Sequence, residues 1–146
     1  MANYSEGRYI DRVAGADLSG VNPTGTAPSN CLFRIVSYQA DATNPTGRSV
    51  VMTTSATDAN ILGVLNNQPV AGETASVMGR NGSGTFKVVV SANSSGVAIG
   101  DALTASSDSG AITTTTSTNQ IIGYAQEAGA AGQVIEYLPA NHKYGN

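Results

Sequence analysis

Ile61-Leu62-Gly63-Val64-Leu65 is a five-residue apolar run set between two polar stretches. A short run of this kind, bounded by turn formers, reads as a buried β-strand; a helix would need ten or more patterned residues. Sixty positions later the chain writes Ile121-Ile122-Gly123, and Ala71-Gly72 after the first run recurs as Ala131-Gly132 after the second. Thr53-Thr54 maps onto Thr113-Thr114 at the same offset. Each copy, near 50–79 and 110–139, reads as strand, polar loop, strand, glycine turn, strand. The echo fits a duplicated β unit or coincidence in a simple composition, and two copies are too few for a solenoid.

Working outward, CLFRIVSY at 31–38 is rich in β-branched and aromatic residues, which suit a pleated surface. Val50–Met52, Thr74–Met78 and Thr85–Val90 read as further strands, the last two joined as a hairpin by a Gly-rich loop. Ala102–Thr104, Ala111–Thr116, Ile121–Gln126 and Gln133–Leu138 continue the series. Only the polar Thr54–Asn60 stretch offers a turn of helix. Strands recurring every ~8–12 residues predict an all-β sandwich or barrel. Residues 1–30, with four glycines and two prolines and no sustained period, read as an extended arm and loops. The β domain then spans 31–138, and 139–146 is a C-terminal tail.

Of the 146 residues, 12% are charged, against ~25% in ordinary domains, and Gly, Ala, Ser, Thr and Asn fill the gap. The net charge of −3 and the scattered Lys and Arg leave no footprint for nucleic acid. The first residues lack the pattern of a secretory signal, and no stretch approaches a membrane span, so synthesis in a reducing cytoplasm is expected.

Catalytic chemistry finds few parts. One His and one Cys remove most nucleophile–base pairs and any simple zinc site, so no metal and no cofactor is expected. His142 lies in the tail, where a solvated side chain is expected, and Cys31 opens an apolar run, where a core residue is expected. Asp101, Asp108, Glu127 and Glu136 show no spacing that selects a catalytic pair. Gly79–Gly84 lacks the GK[ST] ending of a phosphate loop and reads as a turn. The chain is expected not to be an enzyme.

Residues 61–138 carry a further pattern: Gly100-Asp101-Ala102-Leu103, then Ile122-Gly123-Tyr124-Ala125 with Glu127, then Ala131-Gly132-Gln133-Val134. In this order they resemble the bacteriophage capsid cement, or head decoration, proteins. The resemblance implies a compact β domain that forms a homotrimer on the outer surface of an icosahedral head. There it clamps the major capsid protein after expansion, often through an N-terminal arm. Tyr4, Arg8, Tyr9, Ile10 and Arg12 are the aromatic and Arg cluster of that arm, and such residues are enriched at interface hot spots. Tyr9 and Ile10 serve equally as a first core strand, and Tyr137, Leu138 and Tyr144 are a second set able to cover a neighbour. The competing reading is a carbohydrate- or receptor-binding β module of a fibre or adhesin, weakened by the absence of Trp. A small hydrolase is disfavoured by the acid/base inventory.

Overall fold

The computed structural model describes residues 9–19, 31–39 and 49–145. Ten strands and no helix are found among them. The first five are β1 (Tyr9–Ala14), β2 (Ile35–Tyr38), β3 (Ser49–Met52), β4 (Ile61–Leu65) and β5 (Thr74–Gly79). They close a barrel in the order β1-β3-β2-β4-β5. β1 seals it by running parallel to β3 and antiparallel to β5. The other five are β6 (Phe86–Val89), β7 (Ala102–Ala105), β8 (Ala111–Thr113), β9 (Gln120–Ala125) and β10 (Val134–Lys143). These form a sheet in the order β6-β10-β9-β7-β8, and one parallel bridge, Val90 to Ala111, ties its two edges together. The protein is therefore all-β, with two curled five-stranded units in series.

The two units match residue for residue. β4 meets β5 with Gly63 opposite Gly79, Val64 opposite Met78 and Leu65 opposite Val77. β9 meets β10 with Gly123 opposite Pro139, Tyr124 opposite Leu138 and Ala125 opposite Tyr137, each member 60 positions further on. The turns agree as well. Gly72 and Gly132 both take positive φ, 87° and 83°, and their N–H groups reach the equivalent carbonyls of Ala14 (2.8 Å) and Val90 (2.9 Å). The side chains of Glu73 and Gln133 each cap their own turn, accepting from the backbone N–H of Val70 and Ala130.

Each unit has its own apolar centre. Val36, Val50, Leu62, Leu65 and Val77 fill the first, together with buried Cys31. The counterparts Leu103, Ala111, Ile122, Ala125 and Tyr137 fill the second. Where the first pairs Leu65 with Val77, the second pairs Ala125 with Tyr137, so a smaller residue opposite a larger one keeps the layer filled. Ile35, Ile61 and Val64 point out of the first barrel and join the second centre, with Phe33 and Phe86 packed alongside. That shared layer welds the units together.

Four sequence expectations need correction. Tyr9–Ala14 is a barrel strand, because its N–H and C=O groups fill the gap between β3 and β5; it is not part of an extended arm. Residues 1–8 and 20–30 lie outside the described residues. Pro139–Lys143 extends β10 along β9 and is not a tail. β5 and β6 do not form a hairpin, since β5 pairs with β1 and β4 while β6 pairs with β10. Between them Arg80 enters the space between the units, and the chain changes sheets there. The Thr54–Asn60 stretch forms turns, not helix.

Candidate interaction surface

Strand alternation builds the most conspicuous apolar surface. Along β10, Ile135 and Tyr137 are buried, while Val134, Glu136 and Leu138 face outward. Leu138 is 44% exposed and sits opposite Tyr124 on β9, and direct cross-strand partners share a face. The Tyr124 hydroxyl lies 3.0 Å from Nε2 of His142, and the two rings are 5.9 Å apart. Nδ1 of His142 lies 2.7 Å from the Lys143 carbonyl, which only accepts. In the neutral ring Nδ1 therefore carries the proton and Nε2 accepts from the Tyr124 hydroxyl. Ile99, 72% exposed, precedes Gly100, whose N–H donates to the Ala125 carbonyl at the end of β9. An aliphatic and aromatic face thus stands open on the β7-β9-β10 side.

Arg80 fixes that sheet to the barrel. Its side chain is buried and donates to the carbonyls of Ile121 (2.9 Å), Ile61 (3.4 Å) and His142 (3.2 Å), and to Oε1 of Gln120 (3.2 Å). Every one of these acceptors is neutral, and burial lowers the guanidinium from its ordinary value. The planar fork reaches β4, β9 and β10 at once, which a point-charge ammonium would not do. A second tie is Arg34, which reaches the carbonyl (2.9 Å) and the carboxylate (3.5 Å) of Asp108.

The residues expected to touch a capsid are distributed differently from the sequence reading. Tyr4 and Arg8 lie outside the described residues. Tyr9 is half-buried and packs edge-to-face on Phe86 at 5.8 Å. Ile10 packs against the first barrel's centre. Arg12 donates to the Asp11 carbonyl and the Tyr38 hydroxyl, with its guanidinium over the Tyr38 ring. These three side chains are engaged within the chain itself.

The carboxylates singled out in the sequence also have local partners. Asp101 accepts from the Ala98 N–H and the Thr113 hydroxyl. Asp108 accepts from the N–H groups of Ala92 and Gly110. Glu127 accepts from the Glu136 N–H, and Glu136 from the Thr85 hydroxyl. His142 is half-buried in β10, not a free terminal side chain. Among the described residues, no three of His, Cys, Asp and Glu converge on one point.

Sequence reasoning missed Arg80 and Ile99 altogether. An arginine inside an NG-rich turn looks solvated, and only the change of sheet buries it. Of Tyr137, Leu138 and Tyr144, the second set able to cover a neighbour, the strict alternation of Val134 to Leu138 exposes Leu138 and buries Tyr137 in the second centre.

No family model matches the chain, and no curated protein matches it in sequence. Among solved structures it is similar to the head fiber gp8.5 N base of bacteriophage phi29. The TM-score is 0.62 at 17% identity, over 94% of this chain and 98% of that one. At that identity the likeness is one of fold, and it takes in both five-stranded units.

Proposed function

We propose that this chain is a structural, non-enzymatic component of a bacteriophage head, bound to the outer surface of the capsid, where it braces neighbouring major capsid subunits as a homotrimer. The observation that carries this reading is the fold shared with a phage head fiber base across nearly the whole of both chains. The cement-protein pattern at Gly100–Leu103, Ile122–Ala125 and Ala131–Val134 supports it independently from sequence. The physics is consistent. Two closed or nearly closed sheets leave few open edges to aggregate, and a brace gains its strength from many repeated contacts held at high effective concentration by a lattice. No cofactor, nucleic acid or membrane enters the proposal. The residues before β1, with Tyr4 and Arg8, are proposed as capsid contacts.

The test is attachment. Purified protein is incubated with expanded heads lacking it, taken from the phage that encodes it, and in parallel with a glycan panel. Saturable attachment at a fixed ratio to capsid subunits, with heads made more resistant to heat, is the expected outcome. Glycan binding without head attachment would replace the proposal with a receptor-binding module. Removal of residues 1–8, which leaves β1 whole, should weaken attachment while the chain stays folded; undiminished attachment would take that segment out of the mechanism.

A further inference from the structure

We infer that the two five-stranded units are repeats of one fold stacked head to tail, and that separate copies of this chain join through a repetition of the same contact. In that contact the Tyr124–Leu138 face of one copy seats on the outward, Val13 side of β1 in the next.

The inference begins from how the units meet. The first contributes the outward side of β2 and β4: Phe33, Ile35 and Val64. The second receives them on β6 and on the turn between β7 and β8. Val89 N–H donates to the Phe33 carbonyl (2.9 Å), and Ile35 N–H donates to the Ser109 carbonyl (2.8 Å). The Ser109 hydroxyl donates to the Thr53 carbonyl (2.5 Å). Tyr9 of β1 packs on Phe86 and the Thr104 hydroxyl of β7 reaches the Ala56 carbonyl (3.5 Å), but the backbone groups of β1 and β7 equivalent to those above take no part in the seam. A two-fold arrangement would use the same patch on both units; this one uses two different patches and is heterologous. Among the described residues, each unit therefore leaves one patch of the pair unused by the other.

Register identifies the unused patches. Val64 and Met78 face each other as Tyr124 and Leu138 do, and Ile35 pairs with Val64 as Ala102 does with Tyr124. Phe33 and Gly100 occupy the same place. Both have positive φ, 63° and 88°, and both donate to the last β4 or β9 carbonyl, Leu65 or Ala125. The free donating patch is thus Gly100, Tyr124 and Leu138, while Ala102, in the place of Ile35, stays buried within its own chain. On the receiving side, Val89 lies opposite Val134 as Val13 lies opposite Thr74, so Val13 stands where Val89 does.

Exposure follows this division. Met78 is 0% exposed and its counterpart Leu138 44%; Val89 is 9% exposed and its counterpart Val13 40%. At these two positions the side chain is buried where a unit sits beside it and exposed where none does. Of the five exposed large aliphatic residues among those described, Val13, Leu138 and Ile99 belong to the two unused patches or their borders. A second copy of this chain offers the same strand framework at each end, with Tyr124 and Leu138 in place of Val64 and Met78 and Val13 in place of Val89. The polar ties do not repeat: Asp101 stands where Arg34 is, and Ala140 where Arg80 is. The contact between copies is accordingly apolar, and it loosens on dilution. Heterologous contacts close into rings when the rotation permits. Three chains would set six units around one axis. The inference stands on the internal repeat alone and does not require head association.

The experiment uses the whole chain. Sedimentation is followed over a wide concentration range for the natural protein, Val13→Lys, Leu138→Glu and the double variant; both sites are exposed, and circular dichroism confirms folding. Discrete oligomers are expected for the natural protein. Each single variant should shift the association midpoint at least tenfold, and the double variant should recover part of that loss. In parallel, Val13→Cys and Leu138→Cys chains are oxidised alone and mixed, in solution and on heads. Disulfides between copies should form in the mixture and in neither variant alone. Cross-linking of either variant to itself, association unmoved by both single substitutions, or no mixed disulfide in solution or on heads would each overturn the inference. Mixed disulfides in solution from protein that ignores heads would sustain it while removing the capsid reading.

Discussion

Val64 with Met78, and Tyr124 with Leu138, are the same cross-strand pair in two halves of one chain, yet they live in opposite surroundings. Val64 and Met78 are wholly buried, whereas Leu138 is 44% exposed and Tyr124 is half-buried. The backbone is nearly the same at both places, down to the glycine beside each pair. Strand register decides where a side chain points, and the neighbouring unit decides whether that direction is core or surface. The residue types follow. A flexible thioether occupies the fully buried position, and a tyrosine whose hydroxyl reaches His142 occupies the half-wet one.

The sharpest way to break the comparison is at its glycines. A Cβ on Gly63 would run into the carbonyl of Met78, and one on Gly123 into the carbonyl of Leu138. Backbone cannot rotate aside as a side-chain tip can. Gly63→Ala and Gly123→Ala should each cost about 3 kcal/mol or more, at the upper end of overpacking penalties, with loss of cooperative thermal unfolding. A large effect at one and none at the other would mean that the halves are not held by the same close approach. Next in size, truncation should separate the two pairs. Met78→Ala leaves a cavity worth about 2–3 kcal/mol, while Leu138→Ala should stay within about 0.5 kcal/mol in dilute, unassembled protein. Equal losses in chemical denaturation would show that Leu138 is covered within its own chain.

A smaller effect is expected where the halves differ outright. Arg80 has alanine, Ala140, at its counterpart, so the guanidinium belongs to the seam and not to the repeat. Arg80→Lys keeps the charge but loses the fork that serves Ile121, Ile61, Gln120 and His142 together. A cost of about 1–2 kcal/mol is expected, read as a lower unfolding midpoint. An unchanged midpoint would show that the seam is held by Ile35, Ile61 and Val64 without it.

Much of this fold was legible because strands announce themselves locally. Ile61–Leu65 and Ile121–Gln126 could be read from apolar runs bounded by turns, and the 60-residue echo followed from those same runs and their glycines. What stayed hidden was long-range. That Tyr9–Ala14 closes a barrel depends on partners some 36 to 69 positions away in β3 and β5, and no local period records that. The false hairpin between β5 and β6 had the right turn residues and the wrong partners, since the Gly79–Gly84 turn suits a sheet change as well as a reversal. The candidate surface was harder still. Leu138 and Met78 are interchangeable as letters, and only the placement of one unit on the other makes the first a surface residue.

Asp108 gives the finest test, because it acts where the second half grips the first. Burial pushes its carboxyl up, but the N–H groups of Ala92 and Gly110, the Ser91 hydroxyl and the Arg34 guanidinium together hold it below the ordinary 3.8. A carboxyl whose folded value is depressed binds its proton more readily in the unfolded chain. It therefore stabilises the fold in full above the unfolded value, and that contribution drains away as pH falls through the folded one. The group is partly exposed, with 22% of its side-chain surface open to water, so solvent screening keeps the contribution under about 1 kcal/mol. Asp108→Asn should unfold at a lower denaturant midpoint than the natural protein near pH ~7, and the gap should narrow as pH falls below the ordinary carboxylate range. If the gap were instead constant down to pH ~2, the carboxylate's charge would be irrelevant. The grip of Arg34 on this turn would then rest on the Asp108 carbonyl, 2.9 Å away, which no change of pH can remove.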